Sequence, residues 1–141
     1  NRMRVKTDRK KLEKELDDLW HKAVLKRDNY RCKICGSRDR LQTHHIFSRI
    51  RRSTRWDMEN GITLCAGHHY LAHRDPEKFR RFVIQKIGEE KYEELYQKSL
   101  DVVRITLKDL ERIKNELKEY LNYSFRGRGK GHQVPADKKS G

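Results

Sequence analysis

Two short runs constrain this chain more than anything else in it: Cys32-Lys33-Ile34-Cys35 and Cys65-Ala66-Gly67-His68. Tetrahedral Zn²⁺ takes four thiolate or imidazole ligands, and two pairs spaced by two residues form two knuckles that one ion can tie together. Gly36 after the first pair and Gly67 inside the second are expected to permit tight backbone turns. The spacing favours His68 over its neighbour His69 as the fourth ligand, next to Cys32, Cys35 and Cys65. An ion closed in by four protein ligands keeps no position for chemistry, so the expected zinc is structural. The competing reading is three free buried cysteines. Three cysteines make a poor disulfide framework and point to a reducing compartment.

Composition explains why such a chain would use a metal. Only 34 % of its 141 residues are hydrophobic and 40 % are charged, which leaves a thin core in one modest domain with extensions. Lys and Arg number 35 against 21 acids, a net charge of +14. That balance favours a polyanionic partner, nucleic acid ahead of an anionic membrane. No apolar run is long enough to span a membrane, and the N-terminus has no apolar leader, so a soluble cytoplasmic protein is expected.

Along the chain, residues 1–7 are basic and expected to be loose. Leu12, Leu16, Leu19, Trp20, Ala23 and Val24 share one helical face between Asp8 and about Arg27, with Thr7 or Asp8 as the cap. Short strands are expected at Leu41–Ile46 and Gly61–Leu64, then a helix from about Ala66 to Arg74. Asp75-Pro76 opens another helix, which Gly88 stops. A short helix to about Lys98 follows. The Leu107, Leu110, Ile113, Leu117 and Leu121 stripe marks a longer one, suited to packing on the first helix or on a second subunit in a homodimer. The resulting division is a basic N-terminal segment and helix (1–27), a chemical core (28–75), a helical region (76–125) and a basic tail (126–141). The tail is expected to be flexible and to attract DNA.

If zinc takes the first set, His44, His45, His69 and His73 remain in the same stretch. His69 and His73 lie four apart on the expected helix and share a face, which suits two ligands of one ion. His44 and His45 are adjacent on an expected strand and point to opposite sides, so at most one joins that ion. The other can act as a base near neutral pH. The plain alternative is a set of surface histidines.

At this point Asp28–Arg74 resembles the HNH endonucleases, a family with a ββα-metal fold. The resemblance rests on His44-His45, Asp57-Met58-Glu59-Asn60-Gly61 and Leu64-Cys65-x₂-His68-His69-x₃-His73. The zinc knuckles look like those of phage HNH enzymes. A looser likeness to the phage NinG or Rap recombination endonucleases rests on Cys32-x₂-Cys35-Gly36, Thr54-Arg55-Trp56-Asp57, Asn60-Gly61, Leu64-Cys65 and Ala72-His73. The expected fold class is therefore α+β: a small ββα-metal core with a structural zinc site, flanked by N- and C-terminal helices.

The resemblance implies a metal-dependent DNA endonuclease that leaves 5′-phosphate and 3′-hydroxyl ends. His45 would be the general base. His44, His69 and His73 would hold one divalent ion, and Asn60 would orient the strand bearing His45, or serve as the turn residue before Gly61. All-nitrogen ligands shift the expected metal toward Mn²⁺, Ni²⁺, Co²⁺ or Zn²⁺, with Mg²⁺ also compatible. Arg49, Arg51, Arg52 and Arg55, in a loop without acids, and Arg74 beside His73 are candidate phosphate contacts. Trp56 reads as core. The looser likeness implies branched or recombination DNA as the substrate, in the cytoplasm of a bacterial host if phage-encoded. Two alternatives are a non-catalytic zinc-knuckle DNA-binding module and a general phage nicking or packaging-associated HNH nuclease. An RNA-directed or nonspecific toxin nuclease finds no supporting immunity or secretion element.

Overall fold

Leu12, Leu16, Trp20 and Ala23, spaced for one face of a helix, are all buried in the computed structural model, which describes residues 2–127. They belong to α1 (Arg2–Arg27). The helix begins at Arg2, not at Asp8 as expected. Arg2, Met3, Arg4 and Lys6 are good helix formers with no glycine or proline among them. Thr7 turns its hydroxyl back to the Met3 carbonyl at 3.1 Å, as a residue inside a helix does, and caps nothing. Asn29 and Tyr30 end α1 in left-handed backbone (φ 57 and 54), with the Tyr30 N–H donating to the Leu25 carbonyl.

The remaining elements are β1 (Gln42–His45), a 3₁₀ turn (Met58–Asn60), β2 (Gly61–Leu64), α2 (Ala66–Arg74), α3 (Pro76–Ile87), α4 (Glu89–Ser99) and α5 (Leu107–Gly127). The described residues thus hold five helices and a two-stranded antiparallel sheet, an α+β architecture in which, along the chain, a small ββα core lies between N- and C-terminal helices. No helix among the described residues is long and apolar enough to cross a membrane. The expected basic tail lies outside the described residues from 128 onward, and α5 runs on to Gly127, past the expected end near Leu121.

The chain divides into two units. One comprises Val24–Val102. In it His44 pairs with Ile62 and His45 with Gly61 across the sheet. Every residue of β2 is buried. Ile62 and Leu64 join Cys32, Ala72, Phe79 and Val83 in one apolar cluster, with Ile34, Leu41, Ile46, Ile87 and Tyr92 packed around it. Full burial of such a Leu or Ile side chain contributes about 2 kcal/mol. Asp75 caps α3 by accepting the Lys78 N–H at 3.2 Å, and Gly88 ends that helix at φ 93, where a side chain would be strained.

The other unit comprises Asn1–Ala23 and Val103–Gly141. Its buried residues are the α1 face and Leu110 and Leu117 of α5. Glu15 and Lys114 form an ion pair at 3.3 Å, and the Arg9 guanidinium donates to the Ile105 carbonyl. Thr106 and Asp109 cap α5 reciprocally: Asp109 accepts from the Thr106 N–H at 2.9 Å and donates its own N–H to Thr106 Oγ1 at 3.1 Å.

Candidate metal centre

Cys32 and Cys35 flank a turn that the Gly36 N–H closes onto the Cys32 carbonyl at 2.8 Å, with Gly36 at φ 81. Cys65 follows β2 at the N-cap position of α2, whose first turn carries His68. Gly67 was expected to serve a tight turn but does not. It lies in ordinary helix, where an added Cβ would meet only Cys65 Sγ at 3.9 Å, a normal contact. Of these two glycines, Gly36 is the one with the conformational need.

The four side chains of Cys32, Cys35, Cys65 and His68 converge. Their ligand atoms all lie within 4.8 Å of one another. Cys35 Sγ is 3.8 Å from Cys65 Sγ, and His68 Nδ1 is 3.4 Å from Cys65 Sγ and 3.7 Å from Cys32 Sγ. Two sulfurs bound to one tetrahedral zinc would stand about 3.8 Å apart, so the donor set fits that ion. The electrostatics agree. Burial raises the Cys32 thiol, but the peptide N–H groups of Cys35, Cys65 and Ile34 outweigh it and bring the thiol below its usual range. Cys35 receives a lowering bond from Ser37, but burial and the neighbouring Cys32 and Cys65 sulfurs push it up. Three cysteine sulfurs this close ionise together only when a cation lies among them.

His44, His69 and His73 form a second group, again with ligand atoms within 4.8 Å of one another. Strand alternation sends His44 toward α2, where its ring meets those of His69 and His73 edge-on at 5.5 Å each. On α2, His69 Nε2 and His73 Nε2 are 3.4 Å apart. Phe79 of α3 meets the His44 ring at 5.1 Å and holds its orientation. Burial, with His69, His73 and His45 nearby, lowers the His44 pKa to about 4. Burial and His73 also lower that of His69. Neutral imidazoles offer lone pairs, so this set too can hold an ion.

His45, its neighbour on β1, engages the loop that follows the strand. Its Nε2–H donates to the Arg55 carbonyl at 2.9 Å. A carbonyl only accepts, so Nε2 carries the proton and Nδ1 keeps the lone pair. Asn60 is fully buried and grips the same loop. Its Oδ1 accepts the Phe47 N–H at 2.8 Å, and its Nδ2 donates to the carbonyls of Phe47 at 2.9 Å and Thr54 at 3.1 Å.

Residues 32–74 match the family model for HNH endonuclease. No curated protein and no solved structure matches the chain. The match to an HNH endonuclease model suggests a nuclease. The HNH-matched segment contains the zinc-type group, the three-histidine group, His45, Asn60 and the arginine loop.

Those arginines are held in different ways. Arg51 donates to Ser99 Oγ at 3.1 Å. The guanidinium groups of Arg52 and Arg55 lie 5.3 and 4.9 Å from the centre of the buried Trp56 ring. Arg49 is exposed on the loop. Arg74, at the end of α2, donates to the Tyr70 hydroxyl at 3.2 Å.

Two residues just before the HNH-matched segment complete the support, and the sequence reading passed over both. Arg27 donates to the carbonyls of Met58 at 2.6 Å and Gly61 at 2.8 Å. Asp28, with its side chain fully buried, pairs with Arg27 and accepts the Thr63 N–H at 2.9 Å. Together they tie the end of α1 to both ends of the Asn60 turn and to β2. Their partners are backbone groups, which carry no sequence signature.

Proposed function

We propose that the chain is a metal-dependent DNA endonuclease whose active site is His44, His45, His69 and His73. The observation that carries this reading is the pairing of a convergent three-imidazole group with a separately oriented histidine on the next strand position. A purely structural zinc module, already served by Cys32, Cys35, Cys65 and His68, has no use for that second arrangement.

In this mechanism Cys32, Cys35, Cys65 and His68 would hold a structural zinc that fixes the first knuckle to the start of α2. His44, His69 and His73 would hold one divalent ion, which would supply positive charge to offset the negative charge that builds up as the phosphodiester bond breaks. His45 accepts a proton from water at Nδ1 while Nε2–H stays on the Arg55 carbonyl. The water oxygen attacks phosphorus in line, the bond from phosphorus to the 3′-oxygen breaks with its electron pair on that oxygen, which takes a proton from solvent water, and His45 returns its proton to solvent. The ends are a 5′-phosphate and a 3′-hydroxyl. Asn60 keeps the start of the loop beside β1, so the Arg55 carbonyl stays in reach of His45. Arg49, Arg51, Arg52, Arg55 and Arg74 attract the phosphate backbone.

Branched DNA of the kind formed in recombination is the proposed substrate class, in a phage-infected bacterial cell, with nicking of plain duplex as its competitor. The deciding experiment compares supercoiled plasmid with a four-way junction. Protein stripped of its labile metal receives Mg²⁺, Mn²⁺, Co²⁺, Ni²⁺ or Zn²⁺, beside His45→Ala. Metal-dependent cutting that the variant loses is expected. Tight DNA binding with no cutting on either substrate would overturn the nuclease reading.

A further inference from the structure

The loop between β1 and the 3₁₀ turn is tied down at several points. Asn60 holds Phe47 and Thr54, Arg51 holds Ser99, and Ser53 Oγ donates to the Lys98 carbonyl at 2.7 Å. At its tip, Ser48 organises a turn: its carbonyl accepts the Arg51 N–H at 2.9 Å and its hydroxyl accepts the Ile50 N–H at 3.2 Å. This bracing leaves Ile50 80 % exposed. One exposed apolar residue is ordinary on a protein surface. Its setting is not ordinary. From Phe47 to Trp56 the loop has four arginines and no acid, and its far end carries the carbonyl that orients His45.

A rigid, basic loop with an apolar tip suits a partner that is anionic outside and apolar between its layers. Duplex DNA is such a partner, and aliphatic side chains serve elsewhere as wedges between base steps, flanked by basic residues on the phosphates. We propose that Ile50 is an apolar wedge that enters a base step of the DNA near the phosphate served by His45. The inference rests on the nuclease reading of that site and adds a source of selectivity to it. Steps that unstack readily, and bulged or branched DNA already unstacked, would be favoured, because part of the deformation cost is already met. Ile50 is a positioning residue in this scheme, not a catalytic one.

The test uses the full chain with zinc and an activating divalent ion. A duplex carries 2-aminopurine placed in turn at each step across the protein's footprint, since this base brightens when it unstacks. Wild type should brighten one step, and Ile50→Ala should abolish that signal with DNA binding retained. Cleavage of intact duplex should fall about tenfold in Ile50→Ala, and a one-base bulge at the same step should be cut at close to the wild-type rate. Ile50→Leu should restore both signals. Equal brightening in Ile50→Ala and wild type overturns the wedge, as does an equal loss on intact and bulged DNA, which would mark Ile50 as structural or as a contact for another protein. Brightening without cutting under any metal would leave the wedge standing and overturn the nuclease reading. Cutting without brightening would do the reverse, and failure to bind DNA would overturn both.

Discussion

The Nε2–H of His45 points at the main-chain carbonyl of Arg55, 2.9 Å away. Those residues stand at opposite ends of one loop, so the orientation of the proposed base depends on where that loop returns to β1. A backbone acceptor fixes the tautomer of a neutral ring without adding charge, and places its lone pair on Nδ1.

His45→Ala should lower the cleavage rate on the order of 10²- to 10⁴-fold, the usual contribution of a positioned general base. Metal content and the circular dichroism spectrum should stay as in wild type. Single-turnover cleavage measures the first, and metal analysis with spectroscopy the second. A variant that cuts at the wild-type rate would remove His45 from the mechanism.

Asn60→Asp keeps the shape of the side chain but removes both Nδ2 donors and sets a carboxylate against the Phe47 and Thr54 carbonyls. A loss of about 3 kcal/mol is expected, because buried hydrogen bonds are broken and their partners left unsatisfied. Urea unfolding of the zinc-loaded protein measures it. Cleavage should fall further than stability alone explains, since the loop holding the Arg55 carbonyl is released.

Asp28→Ala leaves the Arg27 guanidinium without its buried partner and the Thr63 N–H without an acceptor. Breaking one half of a buried pair costs about 3 kcal/mol or more. Its effect should appear as a lower urea midpoint with an unchanged slope. An unchanged midpoint would show that the tie between α1 and β2 contributes little.

His44 gives a pH dependence with a definite sign. Its folded pKa is lowered to about 4, below the ordinary imidazole value near 6.5. Between these values the unfolded chain binds a proton that the folded chain refuses, so stability falls as pH drops through that window and is fully present above it. Unfolding measured at pH 7 and pH 5, with zinc retained, should show a steeper loss in wild type than in His44→Gln. Equal slopes would contradict the burial of a neutral ring.

Chelation should separate the two metal groups. Mild EDTA should stop cutting while the protein stays folded. Removal of the metal from Cys32, Cys35, Cys65 and His68 should then unfold the Val24–Val102 unit. Parallel titrations followed by cleavage and circular dichroism test that order, and simultaneous loss of both would contradict it.

Much of this arrangement was legible because metal ligands obey local rules. The x₂ pairs and the four-residue step from His69 to His73 fix shared faces, and strand alternation separates His44 from His45. The caps at Asp75 and Gly88 were legible for the same reason. Arg27 and Asp28 escaped because they act on the carbonyls of Met58 and Gly61 and the amide of Thr63, groups that most residues possess. The stacking of Arg52 and Arg55 on Trp56 depends on a loop path that no periodicity encodes. The start of α1 was missed because an expected cap at Thr7 proved to be an interior helical residue.

The grip of Asn60 on Phe47 and Thr54 has a consequence for evolvability. Its side-chain amide closes the neck of the loop much as a short cross-link would, so the residues hung beyond that neck bear little responsibility for the geometry of His45. Chains with the same neck could exchange the span from Ser48 to Ser53 without rebuilding the setting of His45 beneath it.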